Sequence, residues 1–220
     1  MNRDELVSSI ETAIGVLQAA YRSEADESDL YEASLFALCL DAAKSAGGTV
    51  MLTQDGRSAT RELRFRRSPG NLWTPGFTSA LVSFDGTPKR LEVHLGVYVA
   101  SGKSRVAHEC DVAIIDHQEC ERSRQARLHP RGSKLVAVIE AKNYSVSPSL
   151  GVGRGFLGLA QELKAKDCSL VFPARSSANL AALMAKKESE SYGELLPDGA
   201  AATRLRSRLD QAIRNWKDQL

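Results

Sequence analysis

Hydrophobic positions recur at helical spacing near the start of the chain, with Leu6, Ile10, Ile14, Leu17 and Tyr21 predicting a helix over 4–21. Asn2 with Glu5 suggests a capping box at its start. After the acidic break 23–28, Asp29 is placed to cap a second helix through about Ala46, closed by Gly47-Gly48. That helix is apolar nearly all round (Leu30, Tyr31, Leu35, Phe36, Leu38, Leu40), the pattern of an element buried on several sides.

The periodicity then shortens. Thr49–Thr53 and Ala59–Arg66 read as short strands, separated by a loop at Ser68–Gly76 from strand-like runs at Thr78–Phe84, Arg90–Ala100 and Arg105–Asp116. Asp85-Gly86-Thr87-Pro88 is a hairpin signal, and Ser101-Gly102-Lys103-Ser104 turns the chain again. The polar segment His117–Ser133 is a loop or short helix. Leu135–Ile139 is a continuous apolar run, mostly β-branched, that predicts a buried strand. A glycine-containing loop at Ser145–Gly155 opens a helix through about Lys166, and Cys168–Pro173 is a short strand. A helix from Asn179 to about Glu188, a turn at Pro197-Asp198-Gly199 and a helix Ala202–Lys217 complete the chain. The expected fold class is therefore α/β (α+β): a central mixed sheet with an antiparallel meander, flanked by helices, in a single domain. Residues 49–89 are the expected sheet extension and 176–220 a C-terminal helical region.

Composition narrows the classes without choosing among them. The 220 residues are 43% hydrophobic and 25% charged with a net charge of +2, ordinary for a globular protein and too little to argue for nucleic acid by itself. No apolar run reaches the length of a membrane span, and the polar Met-Asn-Arg-Asp-Glu start is unlike a signal peptide, so a cytoplasmic chain is expected. Four cysteines form no Cys-x-x-Cys pair, and Cys39 and Cys168 read as reduced core thiols.

The candidate chemistry lies at strand ends. Glu140 and Lys142 close the apolar run, where a carboxylate and an ammonium are costly unless partnered. Asp111 opens a second apolar run, Val112–Ile115. Two carboxylates converging at neighbouring strand ends make a site for a hard divalent cation, and a lysine beside it can position or deprotonate a water. Asp111, followed across the arginine-rich segment by Glu140-Ala141-Lys142, resembles the PD-(D/E)xK nuclease superfamily, the restriction-endonuclease-like fold. That family's order of helix, three-stranded meander, helix and strand resembles the expected order here over about residues 29 to 175.

The resemblance implies a nuclease requiring Mg²⁺ or Mn²⁺ and acting on DNA, with Asp111, Glu140 and the Ala141 carbonyl as metal ligands. Lys142 would be the catalytic lysine. Glu32 matches an acid that many members carry on the first core helix, and Gln161 a glutamine that some place beside the site. A plain helix-start role for Glu32 and a surface role for Gln161 stand beside these. Cys110 precedes Asp111 where the pattern has proline. Arg122, Arg124, Arg127, Arg154 and the basic face of the last helix are candidate backbone contacts. Expected partners are DNA and no membrane, with a homodimer left open. A non-enzymatic binding or assembly subunit on the same fold is the alternative. A zinc module built from His108, Cys110, His117 and Cys120 is a third reading, although its spacing fits no common zinc pattern.

Overall fold

The computed structural model describes residues 3–219 except 103, 187–189 and 198. Asn2, Lys103, Glu188 and Asp198, named above for a cap, a turn, a helix end and a second turn, lie outside the described residues. The first predicted helix is two. α1 (Arg3–Ile14) ends at Gly15, whose φ of 112° is open to glycine, and α2 (Ala19–Glu24) follows after Leu17 bridges to Leu63. α3 (Glu27–Ser45) starts three residues earlier than its pattern suggested: Asp26 rather than Asp29 is the N-cap, accepting from Ser28 N and Asp29 N, and Asp29 closes the capping box.

Seven strands form one sheet in sequence order: β1 (Gly48–Thr53), β2 (Ser79–Phe84), β3 (Arg90–Ala100), β4 (Ala107–Asp116), β5 (Leu135–Ala141), β6 (Cys168–Val171) and β7 (Glu190–Tyr192). β1 to β5 pair antiparallel, and β5, β6 and β7 run parallel. β1 and β2 extend the sheet at one edge. Residues 59–66 make only isolated bridges, to Thr53 and Leu17, and form no strand. β7 was not anticipated, since three residues carry no readable period.

The polar segment after β4 is a true helix, α4 (His117–Ala126), because Asp116 caps it through Gln118 N and Glu119 N. α5 (Leu150–Leu163) likewise starts inside the expected loop, capped by Ser149. The glycines at 151, 153 and 155 are therefore helical. Gly153 has a packing reason: a Cβ there would sit 2.6 Å from Leu180 of α6 (Ala178–Lys186). α7 (Ala200–Lys217) is the last helix.

α1, α3 and α7 cover one face. Leu6, Phe36, Leu40, Leu205 and Ile213 pack there with Leu91, Val93, Val112 and Ile139 of the sheet. α4, α5 and α6 cover the other, over Ala113, Ile115, Val138, Leu170 and Phe172. The result is a three-layer α/β fold with an open mixed sheet. Among the described residues no helix is long and apolar enough to cross a membrane. All four cysteines are free, and Cys39 is buried while Cys168 is half-buried, in keeping with reduced core thiols.

One irregularity positions the site. Leu95 packs with the α3 face, but Val97 and Val99 pack with the α4 face. Regular alternation would keep all three together. Gly96, with φ of 61°, makes the switch, and opposite it Cys110 and Val112 also part to different faces. Pairing of β3 with β4 skips only the Gly96–Asp111 position between Leu95↔Val112 and Val97↔Cys110. The register is the same on both sides of this position, so no residue is inserted and the change of faces comes from the left-handed backbone at Gly96, beside Asp111. Gly96→Ala is expected to cost about 1–2 kcal/mol, read as a lower urea midpoint. An unchanged midpoint would show that the left-handed turn is not required.

Candidate active site

Pairing of β4 with β5 runs out at Val112↔Ile139, and the next positions along the two strands are Asp111 and Glu140. There the ladder is replaced by a side chain: Ala141 N donates to Asp111 Oδ2 at 2.7 Å. β5 continues against β6 on its other side, where Lys142 N donates to Val171 O. The strands thus part at the motif while its backbone stays anchored.

Lys142 Nζ lies 2.7 Å from Glu140 Oε1 and 3.8 Å from Asp111 Oδ2. The three side chains named from sequence therefore meet at one point. Glu32 joins them from α3. Burial raises its carboxyl to about 8, and the negative charge of Asp111 is the next cause, with Asp29 and Glu109 adding and Lys142 opposing. Asp111 is raised to about 7 by burial and then by Glu140, against Lys142 and the Ala141 N–H. Glu109, two positions before Asp111, is pushed up by burial and by Glu140. It is the member of the group that the sequence reading passed over, although strand alternation near Asp111 would have flagged it.

Four carboxylates thus share a corner in which Lys142 is the cation that lowers Glu32, Asp111 and Glu109 alike. Hard oxygen donors with more negative than positive charge fit a divalent cation such as Mg²⁺ or Mn²⁺. Asp111 and Glu140 would hold it. Ala141 enters the site through its N–H, and its carbonyl role rests on the resemblance alone.

Other candidates fall elsewhere. Gln161 is exposed on α5 and makes no hydrogen bond to the acidic corner among the described residues. Arg122 is held by Glu119 and the His129 carbonyl. Arg124 is drawn inward onto Glu92 and Glu121. Both are thus paired with buried acids, which a string of arginines in sequence cannot reveal. Arg127 and Arg154 are exposed and unpaired among the described residues. On α7, Arg208 pairs with Asp167 and Glu190, and Arg214 with Asp210.

The zinc reading is not assembled. His108 turns to Glu162 at 3.0 Å, and Cys110 is buried in an apolar cluster. His94 is buried beside Glu92, 2.8 Å away, and 3.9 Å from Cys120 Sγ. Glu92, His94 and Cys120, and also Glu92, His117 and Glu121, bring ligand-type atoms within 4.8 Å of one another. Arg124 already supplies Glu92 with its countercharge there, so this cluster reads as a buried ion-pair network.

A cleft of about 730 Å³ lies between α1, α3 and α7, lined by Asp4, Ser8, Asp41 and Arg206, and none of the residues of the acidic corner lines it. A smaller one of about 380 Å³ is bounded by Glu27, Tyr31, Asn143, Tyr144 and Ser145, neighbours in sequence of Glu32 and Lys142.

The chain matches no protein-family model and no curated protein. Among solved structures it is similar to the crystal structure of protein VC1899 from Vibrio cholerae, at 15% identity and a TM-score of 0.34. That likeness covers 98% of this chain and 52% of the other, so the chain spans about half the length of that protein, and a similarity this loose carries no argument.

Proposed function

We propose that this protein hydrolyses phosphodiester bonds in nucleic acid, DNA first, with a divalent cation at Asp111 and Glu140. The observation that carries the reading is the meeting of Asp111, Glu140 and Lys142 where the β4–β5 ladder ends. The order α3, β3, β4, β5, α5, β6 around them supports the PD-(D/E)xK resemblance.

Each residue has a physical task. The Ala141 N–H fixes the Asp111 carboxylate in one orientation. Glu140 holds the Lys142 ammonium at the mouth of the site, where it can steady a phosphate oxygen or orient a water. Burial of the corner by α3 strengthens each of these interactions. A bound cation would lower the pKa of its water and neutralise charge developing on the phosphate. Glu32, raised to about 8, would give up its proton as the cation arrives and add its charge to that of the corner.

The test is a cleavage assay on end-labelled single-stranded and duplex DNA. Product is expected with Mg²⁺ or Mn²⁺ and none with chelator. Asp111→Asn keeps an oxygen for the Ala141 N–H but loses the charge, and should abolish cleavage. No product from any form in either metal, or undiminished cleavage by Asp111→Asn, would overturn the proposal.

A further inference from the structure

The cleft of about 380 Å³ beside the acidic corner lies where three parallel strands end. Its walls are Asn143, Tyr144 and Ser145 after β5, Pro173 and Ala174 after β6, and Leu196 after β7, with Glu27 and Tyr31 of α3 opposite. The carboxyl ends of parallel strands are where open α/β sheets bind ligands. Two of its walls continue directly into the site, since Tyr31 precedes Glu32 and Asn143 follows Lys142.

We propose that this cleft seats one unpaired base of the substrate strand, which makes single-stranded nucleic acid the substrate class. The inference rests on the hydrolytic reading above and names its substrate. Its volume is near the lower end of small-ligand pockets, about 300–1,000 Å³. That is room for one nucleoside, and a base can enter such a cleft only when it is out of the duplex stack.

The chemistry of the lining suits a base. Tyr144 is 41% exposed and stacks on no aromatic neighbour among the described residues. An aromatic face on the edge of a nuclease-like site is a stacking platform that accepts any base. The Asn143 amide offers both a donor and an acceptor to a base edge, and the Glu27 carboxylate accepts only. The Tyr31 hydroxyl donates to Leu195 O, which fixes that wall. Ser177 N donates to Ser147 Oγ at 2.9 Å, tying the loop after β5 to the loop after β6. The rim is thus set before ligand arrives. Arg175, exposed on the second loop and unpaired among the described residues, is placed for the strand's phosphates. The negative Glu27 disfavours a phosphate inside the cleft itself, so base and phosphate are sorted to different walls.

The experiment measures binding in chelator, apart from cleavage, by fluorescence anisotropy with a labelled 12-mer as a single strand, as DNA and as RNA, and as a duplex of the same sequence. The wild type should bind single strands at least tenfold more tightly than duplex. Tyr144→Ala should weaken single-strand binding roughly 5- to 150-fold, the range for one stacked base. Tyr144→Phe should stay within about threefold of wild type, and duplex binding should move in neither. An abasic strand should bind wild type as weakly as the intact strand binds Tyr144→Ala, with no further loss when the two are combined.

Equal affinity for single strand and duplex, undiminished single-strand binding by Tyr144→Ala, or no binding of either form would overturn the proposal. The two readings fail separately. Tyr144-dependent binding with no cleavage in any metal would sink the hydrolase and leave the cleft standing. Cleavage indifferent to Tyr144→Ala would do the reverse.

Discussion

Lys142→Ala is expected to lower cleavage by roughly 10²–10³-fold, the usual cost of removing one preorganised charge from a reaction centre. The mechanism is local. Lys142 Nζ sits 2.7 Å from Glu140 and 3.8 Å from Asp111, and its side chain is 27% exposed, so water replaces it poorly. Removing it takes away the cation that offsets Glu32, Glu109 and Asp111 together. A second effect of opposite sign follows. The unbalanced carboxylates should bind Mn²⁺ at least as tightly as before, so added Mn²⁺ should raise the unfolding temperature of Lys142→Ala by no less than that of wild type. Cleavage by Lys142→Ala within tenfold of wild type would remove the lysine from the mechanism.

The largest stability effect is expected far from that corner. Glu92 is fully buried and receives His94 at 2.8 Å, His117 at 2.7 Å, and the two terminal nitrogens, Nη1 and Nη2, of Arg124. Arg124→Met leaves this carboxylate without its strongest partner in a dry interior. Breaking one side of a buried pair costs about 3–5 kcal/mol, or roughly 6–20 °C in Tm for a chain of this size. The Glu92 carboxyl is held well below the ordinary carboxylate range by its three partners, against the cost of burial. Its stabilisation is therefore present above about pH 4.5 and lost as pH falls, because the unfolded state takes up the proton first. Glu119, held near 2 by Arg122 and Arg131, acts in the same direction. Urea midpoints should accordingly decline below about pH 4.5. A Tm for Arg124→Met within 2 °C of wild type would show that the network is not a support of the fold.

These two clusters show how differently the sequence discloses its parts. Asp111, Glu140 and Lys142 were legible because each interrupts an apolar strand with a charge, and strands that pair in order bring such interruptions together. Glu32 was legible only as an acid near a helix start, and its approach to Asp111 depends on how α3 crosses the sheet. The Glu92 network was not legible. His94 and Glu92 alternate within one strand, but the partners that make them internal come from α4, whose polar sequence reads as a loop or a short helix at the surface. The same blindness gave Arg122 and Arg124 an outward role. Among the elements, long periodic ones were foreseen, α3, β3, β4, β5 and α7 above all. The failures have local causes: Gly15 divides the first helix, Ser149 starts α5 ahead of its glycines, and three-residue β7 is too short to leave a pattern.

The proposed hydrolysis depends on two carboxylates holding one cation where β4 and β5 part. Calorimetric titration of Mn²⁺ into wild type, Asp111→Asn and Glu140→Gln tests this directly. One site per chain is expected in the wild type, weakened more than tenfold by each substitution while the far-ultraviolet spectrum stays unchanged. Mn²⁺ binding that neither substitution alters, or no binding to the wild type at all, would contradict it.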